Sequence, residues 1–269
     1  MSQKSIHIAF WGAFLSVLVL NAPGRVVLAD TNGEAGAQND SPCQFQSQLE
    51  TIKSISGDTA LDDVQKLRVA LNARKNLLKN IIDCAARDAD ELKTDVESLP
   101  PESDGAVRQL AEQITSDLNG ALRYYSAQRR KVEDVGLHGS QELSRNIREW
   151  RAISYAPMAQ KASNFIAWNK NLELIRTADS RLNQVRRTVG ILKLLNDEEF
   201  QNLFKRADAY FRDAKTNNQK ALEMLGRFDG RESATEFIKS ALDDLSKTYQ
   251  EFFTIGERLD KILPNGNRK

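Results

Sequence analysis

The sequence predicts an all-α protein, an elongated antiparallel bundle of five to six helices with coiled-coil-like packing. Apolar residues recur every three or four positions from Pro42 almost to the end of the chain, which is the spacing of one helix face. The 269 residues include only 6 Pro and 14 Gly, too few for a turn-rich β fold. No stretch alternates β-branched and polar residues. Long helices joined by short loops form antiparallel neighbours in a bundle.

Residues 1–29 have the pattern of a signal peptide, and we predict that the mature chain is exported. Lys4 supplies a positive charge, Ile8–Leu20 is an uncharged apolar run of 13 residues, and Val27-Leu28-Ala29 fits a cleavage site. A bilayer-spanning helix needs about 20 apolar residues, so a retained membrane anchor is the weaker alternative. We therefore expect a periplasmic or extracellular protein after cleavage near Ala29, with membrane contact only if this segment is retained.

The predicted helical bundle domain covers residues 42–263 and is flanked by two segments without helical pattern. Residues 30–41 consist mainly of Gly, Asn, Asp, Ala and Gln with no apolar period, which predicts a flexible linker. Residues 264–269 begin with Pro264 and are expected to be a disordered tail.

Two helices are expected first. Ser41-Pro42 suits the N-cap and first turn of a helix whose apolar face extends to Gly57. A much longer helix follows over 59–98, because neither Pro nor Gly interrupts the pattern before Pro100. Its apolar face comprises Leu61, Val64, Leu67, Leu71, Leu78, Ile81, Ala85, Ala89, Leu92, Val96 and Leu99.

The middle of the chain predicts two more helices. Ser103-Asp104 opens one that ends near Gly136, and Ser140 is the expected cap of the next. Pro157 should kink or interrupt that helix after Ala156, since proline lacks the backbone donor and clashes with the preceding turn.

Beyond Pro157 the apolar period continues to Leu195, where a capping box with Asn196 as cap and Glu199 three residues later predicts a new helix. The alternative is a single helix from Met158 to Leu225, because the period almost runs through Asn196. Ser233 opens the last helix, which ends before Pro264.

Cys43 and Cys84 are the two cysteines of the chain, and in an oxidising compartment they predict one disulfide. Two buried free thiols are the alternative. Geometry argues against the bond: if Gly57 is the turn of a helical hairpin, Cys43 lies 14 residues before it and Cys84 lies 27 after it. The sulfurs would then be offset by about 20 Å, unless the chain after Cys43 is partly extended.

The composition restricts the chemistry that this chain can perform. Signal cleavage leaves His138 as the single histidine, so zinc, dimetal and c-type haem sites lack their ligands. No nucleophile or phosphate-loop motif is present. The 38 basic and 37 acidic residues give a net charge of +1, which offers no bulk attraction to nucleic acid. We expect no enzyme activity, no cofactor, no metal and no nucleic-acid partner.

The segment Ile147–Asn171 is the most unusual part of the chain, because it combines aromatic residues with a proline inside a helical pattern. Such rings join apolar area to one polar donor, which suits a binding surface as well as a core. The candidate surface consists of Trp150, Tyr155, Pro157, Phe165 and Trp168. The expected function is an exported structural or interaction module with an unknown protein partner in the cell envelope. A ligand-binding or sensory domain that uses the Pro157 segment is the alternative.

Overall fold

The computed structural model describes residue 43 and residues 45–57, 61–100, 104–227 and 234–262. Over these ranges the secondary structure is helical throughout, without strands, so the predicted all-α class is confirmed. The helices are α1 (Gln46–Gly57), α2 (Asp63–Glu97), α3 (Gly105–Lys131), α4 (Leu137–Trp150), a π-helical turn (Arg151–Tyr155), α5 (Ala156–Ile191), α6 (Glu198–Gly226) and α7 (Ala234–Ile262). Helix α4, the π turn and α5 follow one another without a break and form one continuous segment. The described residues therefore contain six continuous helical segments.

The chain divides into two compact units. The first contains the chain up to Glu97 together with Glu112–Gln160, and the second contains Ser98–Ala111 and the chain from Lys161 onward. No helix within the described residues is long and apolar enough to cross a membrane. The predicted signal peptide, linker and tail, and the Ser41-Pro42 pair, lie outside the described residues.

Helices α1 and α2 pack through a small apolar cluster in which Leu49 and Ile52 contact Leu77, with Phe45 and Ile81 at its edge. Cys43, which precedes α1, is bonded to Cys84 in the second half of α2, so the two helices are antiparallel. The predicted end of α1 at Gly57 is confirmed.

Helix α2 begins at Asp63, four residues later than expected. The reason is a capping box just before it. The Asp62 carboxylate accepts a hydrogen bond from the Gln65 backbone N–H at 2.8 Å, and the Gln65 side-chain oxygen accepts from the Asp62 N–H at 3.1 Å. Reciprocal capping of this kind fixes a helix start.

The expected cap at Ser140 is wrong, because α4 already begins at Leu137 with Gly136 in the N-cap position. The Ser140 hydroxyl is buried inside the first turn and donates to the Leu137 carbonyl at 2.7 Å. This back-bond satisfies the hydroxyl without ending the helix.

Pro157 does not interrupt the helix. In an α-helix its ring would clash with the carbonyl of Ile153, four residues earlier. The π-helical turn Arg151–Tyr155 comes directly before this point, and the Ala156 N–H donates to the Arg151 carbonyl five residues back. The widened turn changes the carbonyl register, so the backbone passes Pro157 with helical dihedral angles at Trp150 and Ala156.

The predicted break before α6 is confirmed, and the alternative of one helix from Met158 to Leu225 is wrong. The cap is Asp197 instead of Asn196: its carboxylate accepts from the backbone N–H groups of Glu199 at 3.0 Å and Phe200 at 3.2 Å. These bonds, with the positive charge of Arg258, hold the pKa of the Asp197 carboxyl below its usual value.

Helix α5 ends in a Schellman motif. Lys193 has a φ of 60°, its N–H donates to the Gly190 carbonyl at 2.9 Å, and the Leu194 N–H donates to the Val189 carbonyl at 3.0 Å. These are the two bonds that close a helix through a left-handed residue, a place usually taken by Gly.

In the second unit α6 packs along α7 around aromatic and small side chains. Their antiparallel order follows from two ion pairs: Arg206 near the start of α6 contacts Glu251 late in α7, and Arg258 contacts Asp197. The core of this unit includes Ile175, Leu182, Val189, Phe200, Leu203, Ala207, Phe211, Leu245 and Ile255.

Candidate functional site

Cys43 and Cys84 form a disulfide with their Cα atoms 5.7 Å apart, inside the range that the bond requires. The expected offset of about 20 Å between the sulfurs was wrong, because the segments before and after Gly57 do not have the lengths of the helical hairpin that was assumed. Cys43 lies outside α1, so its three steps to Gln46 can add about 10 Å to the about 17 Å rise of α1. From Asp63 to Cys84 the rise is about 32 Å, which leaves a difference of only about 5 Å.

Two charged residues of α2, Arg87 and Asp88, lie next to the disulfide. The Arg87 guanidinium contacts the Cys43 Sγ atom at 3.1 Å, and a carboxylate oxygen of Asp88 lies within 4.8 Å of both sulfurs. Metal binding by cysteine requires free thiolates, and both sulfurs are bonded to each other. The cluster therefore serves as a covalent link between α2 and the chain that leads into α1.

An aromatic cluster joins α3 to the π turn in the first unit. The rings of Tyr124 and Trp150 stack with centroids 3.7 Å apart, and Tyr125 meets Trp150 and Tyr155 edge to face at 5.4 and 5.7 Å. The Arg151 guanidinium lies 5.3 Å from the Tyr155 ring centre, which adds a cation–π contact. Four rings and one cation therefore pack around the widened turn.

Two of the three tyrosines of this cluster, Tyr125 and Tyr155, are buried. Tyr125 is fully buried, and its hydroxyl has no hydrogen-bond partner among the described residues. Burial raises the pKa of both Tyr125 and Tyr155, and that of Tyr155 to about 12, with the negative charge of Asp88 acting in the same direction. Both phenols therefore remain protonated above pH 10, where an exposed phenol begins to ionise.

The other predicted aromatic residues belong to the second unit. Phe165 and Trp168 are buried and stack with centroids 5.7 Å apart. The Trp168 indole N–H donates to the Asn218 carbonyl oxygen at 3.0 Å, and the Asn171 side-chain amide donates to the Ile238 carbonyl at 2.9 Å. These bonds tie α5 to α6 and α7.

The structure places the predicted site residues in two groups. Trp150 and Tyr155 belong to the first aromatic cluster, and Phe165 and Trp168 belong to the second. Tyr155, Phe165 and Trp168 are buried, Trp150 is half-buried, and Pro157 is exposed. The apolar period had placed Tyr125 on the inner face of its helix, which is confirmed, but neither Tyr124 nor Tyr125 was included in the candidate surface. Two adjacent tyrosines in one helix were a visible signal.

A polar cavity of about 640 Å³ opens between α1, α2 and α3 in the first unit. Ala73 lies at its edge, where it also packs against the α1–α2 cluster. Six of its seven lining residues have polar side chains: Gln48, Thr51, Asn76, Lys79, Asn80 and Arg129. Carbon atoms nevertheless form about half of the lining surface. The polar residues at 76, 79 and 80 interrupt the leucines of α2, and this interruption was the signal that could have located the cavity.

Ion pairs border the cavity. The Arg129 Nε atom contacts both carboxylate oxygens of Asp83, at 2.9 and 3.1 Å. Lys79 pairs with the Glu133 carboxylate, which holds the pKa of that carboxyl below its usual value, and Lys75 donates to the Glu133 carbonyl at 2.6 Å. This network contains three cations and two carboxylates, so its net charge is +1. The cations are Lys75, Lys79 and Arg129, and the carboxylates are Asp83 and Glu133.

Comparison with known proteins gave no match to any family model, curated protein or solved structure.

Proposed function

We propose that this chain is an exported helical interaction module, held in shape by the Cys43–Cys84 disulfide, that binds a partner protein through the N-terminal turns of α2. Two features support export: the signal-peptide pattern of residues 1–29, and the bond between the two cysteines, since disulfides persist in oxidising compartments.

The observation that carries the proposal is an apolar face of α2 that continues beyond its own core. Val64, Leu67 and Leu71 lie on the same face as the buried Leu78 and Ala85, because steps of three, four and seven residues return to one side of a helix. We call Val64, Leu67 and Leu71 the α2 stripe. Val64 is 69% exposed and Leu67 58% exposed, so the stripe leaves apolar area open where Leu78 and Ala85 are covered.

The end of α3 can be located along α2, C-terminal to the α2 stripe. Contacts of Lys79 and Lys75 with Glu133, just past the end of α3 at Lys131, place that end level with the middle turns of α2. The first turns of α2, which carry the α2 stripe, therefore extend beyond the end of α3. An exposed continuation of a core face is suited to the apolar face of a second helix.

Charge identifies the kind of partner. Three cations lie within about a quarter-turn of the α2 stripe: the exposed Arg68, and the half-buried Arg74 and Lys75, which also interact within the chain. Asp63 is the acidic residue within the same arc. A partner helix with acidic residues beside its apolar face would meet this excess of positive charge. A second copy of this chain would bring the same three cations, so the charge pattern favours a different protein.

The aromatic segment supports the alternative, a ligand-binding domain, less well. Tyr155, Phe165 and Trp168 use their rings in buried contacts, which leaves Trp150 and Pro157 as the accessible members of that set. Binding of a protein partner at the α2 stripe does not require the buried aromatic rings to become accessible.

A photo-crosslinking side chain at Leu67 tests the proposal in cells, with the same group at Phe253 as control. Phe253 lies on α7 and is 74% exposed. It is therefore an exposed apolar residue like Leu67, but it lies outside the α2 stripe. We expect position 67 to crosslink to an amphipathic helix that carries Asp or Glu, identified by peptide mass spectrometry, and position 253 not to. Arg68→Glu should reduce that crosslink at least fivefold.

Three results would contradict the proposal: crosslinks between copies of this chain, crosslinks at position 67 that Arg68→Glu does not change, and no crosslink at position 67. Circular dichroism of each variant checks that the helices remain folded.

A further inference from the structure

We propose that the polar cavity between α1, α2 and α3 is a binding site for a small polyhydroxylated carboxylate, such as an acidic sugar. The cavity lies on a different face of α2 from the α2 stripe. Ala73, Asn76 and Asn80 share that face, about half a turn away from Val64 and Leu71. A ligand in the cavity would therefore leave the α2 stripe uncovered, and Lys75 is the one cation that contributes to the charge beside both.

The first argument is the uncharged part of the lining. Three carboxamides and one hydroxyl converge from two helices: Gln48 and Thr51 from α1, and Asn76 and Asn80 from α2. Carboxamides offer both donors and acceptors, which match the hydroxyl groups of a sugar. Four such groups around one cavity exceed what the packing of two helices requires.

Gln48 supplies a second observation. Its Oε1 atom is buried and has no hydrogen-bond partner among the residues that the structure describes. A buried polar atom without a partner carries a desolvation penalty unless something donates to it. Gln48 also lines the cavity, so a ligand hydroxyl would donate to this atom once the carboxamide turns toward the cavity.

Arg129 determines the charge of the ligand. Both of its contacts with Asp83 use Nε, so among the described residues the two terminal Nη groups of the guanidinium are left for another acceptor. A carboxylate is the group that guanidinium donors bind best in this geometry. Thus the site joins one anion-binding group to several hydroxyl-binding groups.

The surrounding ion-pair network limits the ligand to a single negative charge. Its net charge of +1 arises from three cations and two carboxylates, with Asp83 and Glu133 already at the border of the cavity. A monoanion neutralises this net charge, whereas a phosphate dianion would leave the site with a net charge of −1. Size agrees, because about 640 Å³ lies in the range of small-molecule sites.

The test is calorimetric titration of the full mature chain with D-glucuronate, and with D-glucose as the neutral probe of the same ring size. We expect saturable binding of glucuronate and at least tenfold weaker binding of glucose. Arg129→Gln should remove this preference, and Gln48→Leu should weaken glucuronate binding at least threefold.

Matched controls separate the site from the general effect of each substitution. Arg130→Gln removes the same charge one residue along α3, and Gln46→Leu removes the same amide from the exposed start of α1. Both residues are exposed and outside the lining. We expect both controls to bind glucuronate like the unmodified chain, with thermal unfolding verifying that every variant is folded.

The proposal is overturned if glucuronate shows no saturation, if glucose binds equally well, or if Arg130→Gln weakens binding as much as Arg129→Gln. Side-chain amide resonances of Asn76 and Asn80 provide a second readout, and their failure to shift with glucuronate would locate any binding elsewhere.

Discussion

The indole nitrogen of Trp168 donates a hydrogen bond to the backbone carbonyl oxygen of Asn218 at 3.0 Å, and both residues are buried. This bond joins α5 to α6 across 50 positions of sequence. It explains how a large polar ring is accommodated inside a helical core, because the one donor of the indole is satisfied there. Trp168 therefore serves the packing of the second unit.

Trp168→Phe should lower the free energy of unfolding by about 2–3 kcal/mol, because the ring loses volume and the donor disappears. Urea unfolding followed by circular dichroism measures this change. Trp150→Phe is the matched control: Trp150 is half-buried, so its loss should be less than half as large. Equal effects, or a neutral Trp168→Phe, would contradict a core role for Trp168.

Tyr125→Phe should stabilise the chain by about 1 kcal/mol. The substitution keeps the ring contacts and removes a buried hydroxyl that has no partner among the described residues. Tyr124→Phe is the control, since Tyr124 is half-buried and its substitution should change stability little. A loss of stability in Tyr125→Phe alone would mean that the hydroxyl is hydrogen-bonded in solution.

Alkaline pH should destabilise the first unit through its phenols. Burial raises the pKa of Tyr155 to about 12, above the ordinary value of 10.0 that it recovers on unfolding. Between these values the unfolded chain binds fewer protons than the folded chain, so stability falls as pH rises from 10 toward 12. Urea midpoints measured from pH 8 to 12 should stay level and then decline.

The same pH series with Tyr155→Phe and Tyr125→Phe together identifies the groups responsible. We expect this double variant to lose most of the decline above pH 10. An unchanged decline would assign it to other groups.

Reduction of the disulfide should destabilise α1 more than any other helix. The bond closes a loop of 41 positions, which the chain-entropy model values at about 4 kcal/mol. The apolar cluster that otherwise holds α1 is small, with Leu49, Ile52 and Leu77 at its centre. Hydrogen exchange of the Cys43→Ser, Cys84→Ser double variant should therefore show loss of protection in α1 while α6 and α7 keep theirs. Full protection of α1 in that variant would show that apolar packing alone holds it.

The apolar period located the helices well, and local backbone chemistry decided where each one ends. Asp62 and Gln65 start α2 through a reciprocal cap, and Asp197 takes the place expected for Asn196. Lys193 ends α5 in a left-handed conformation, which the sequence did not predict because the residue is not Gly. Cap choice depends on dihedral angles at single residues, which the spacing of apolar side chains does not contain.

The candidate site was less predictable than the fold, because its geometry depends on partners distant in sequence. The aromatic content of Ile147–Asn171 was visible, but not that Trp150 would stack on Tyr124. Similarly, the α2 stripe looked like core throughout, since a pattern of apolar residues cannot show where the covering helix ends. Pro157 indicated an irregular turn, and the structure accommodates it with a π turn instead of a break.

The central claim is that the chain acts outside the cytoplasm as a disulfide-held module, and the most direct test is intact-mass analysis of the protein from the cells that make it. Thiols are alkylated at lysis, before any reduction. The account predicts a chain that begins at or within a few residues of Asp30, lighter by two hydrogens than its reduced form and free of alkylation at Cys43 and Cys84. A chain that retains Met1, or that carries two alkylated cysteines, would contradict it.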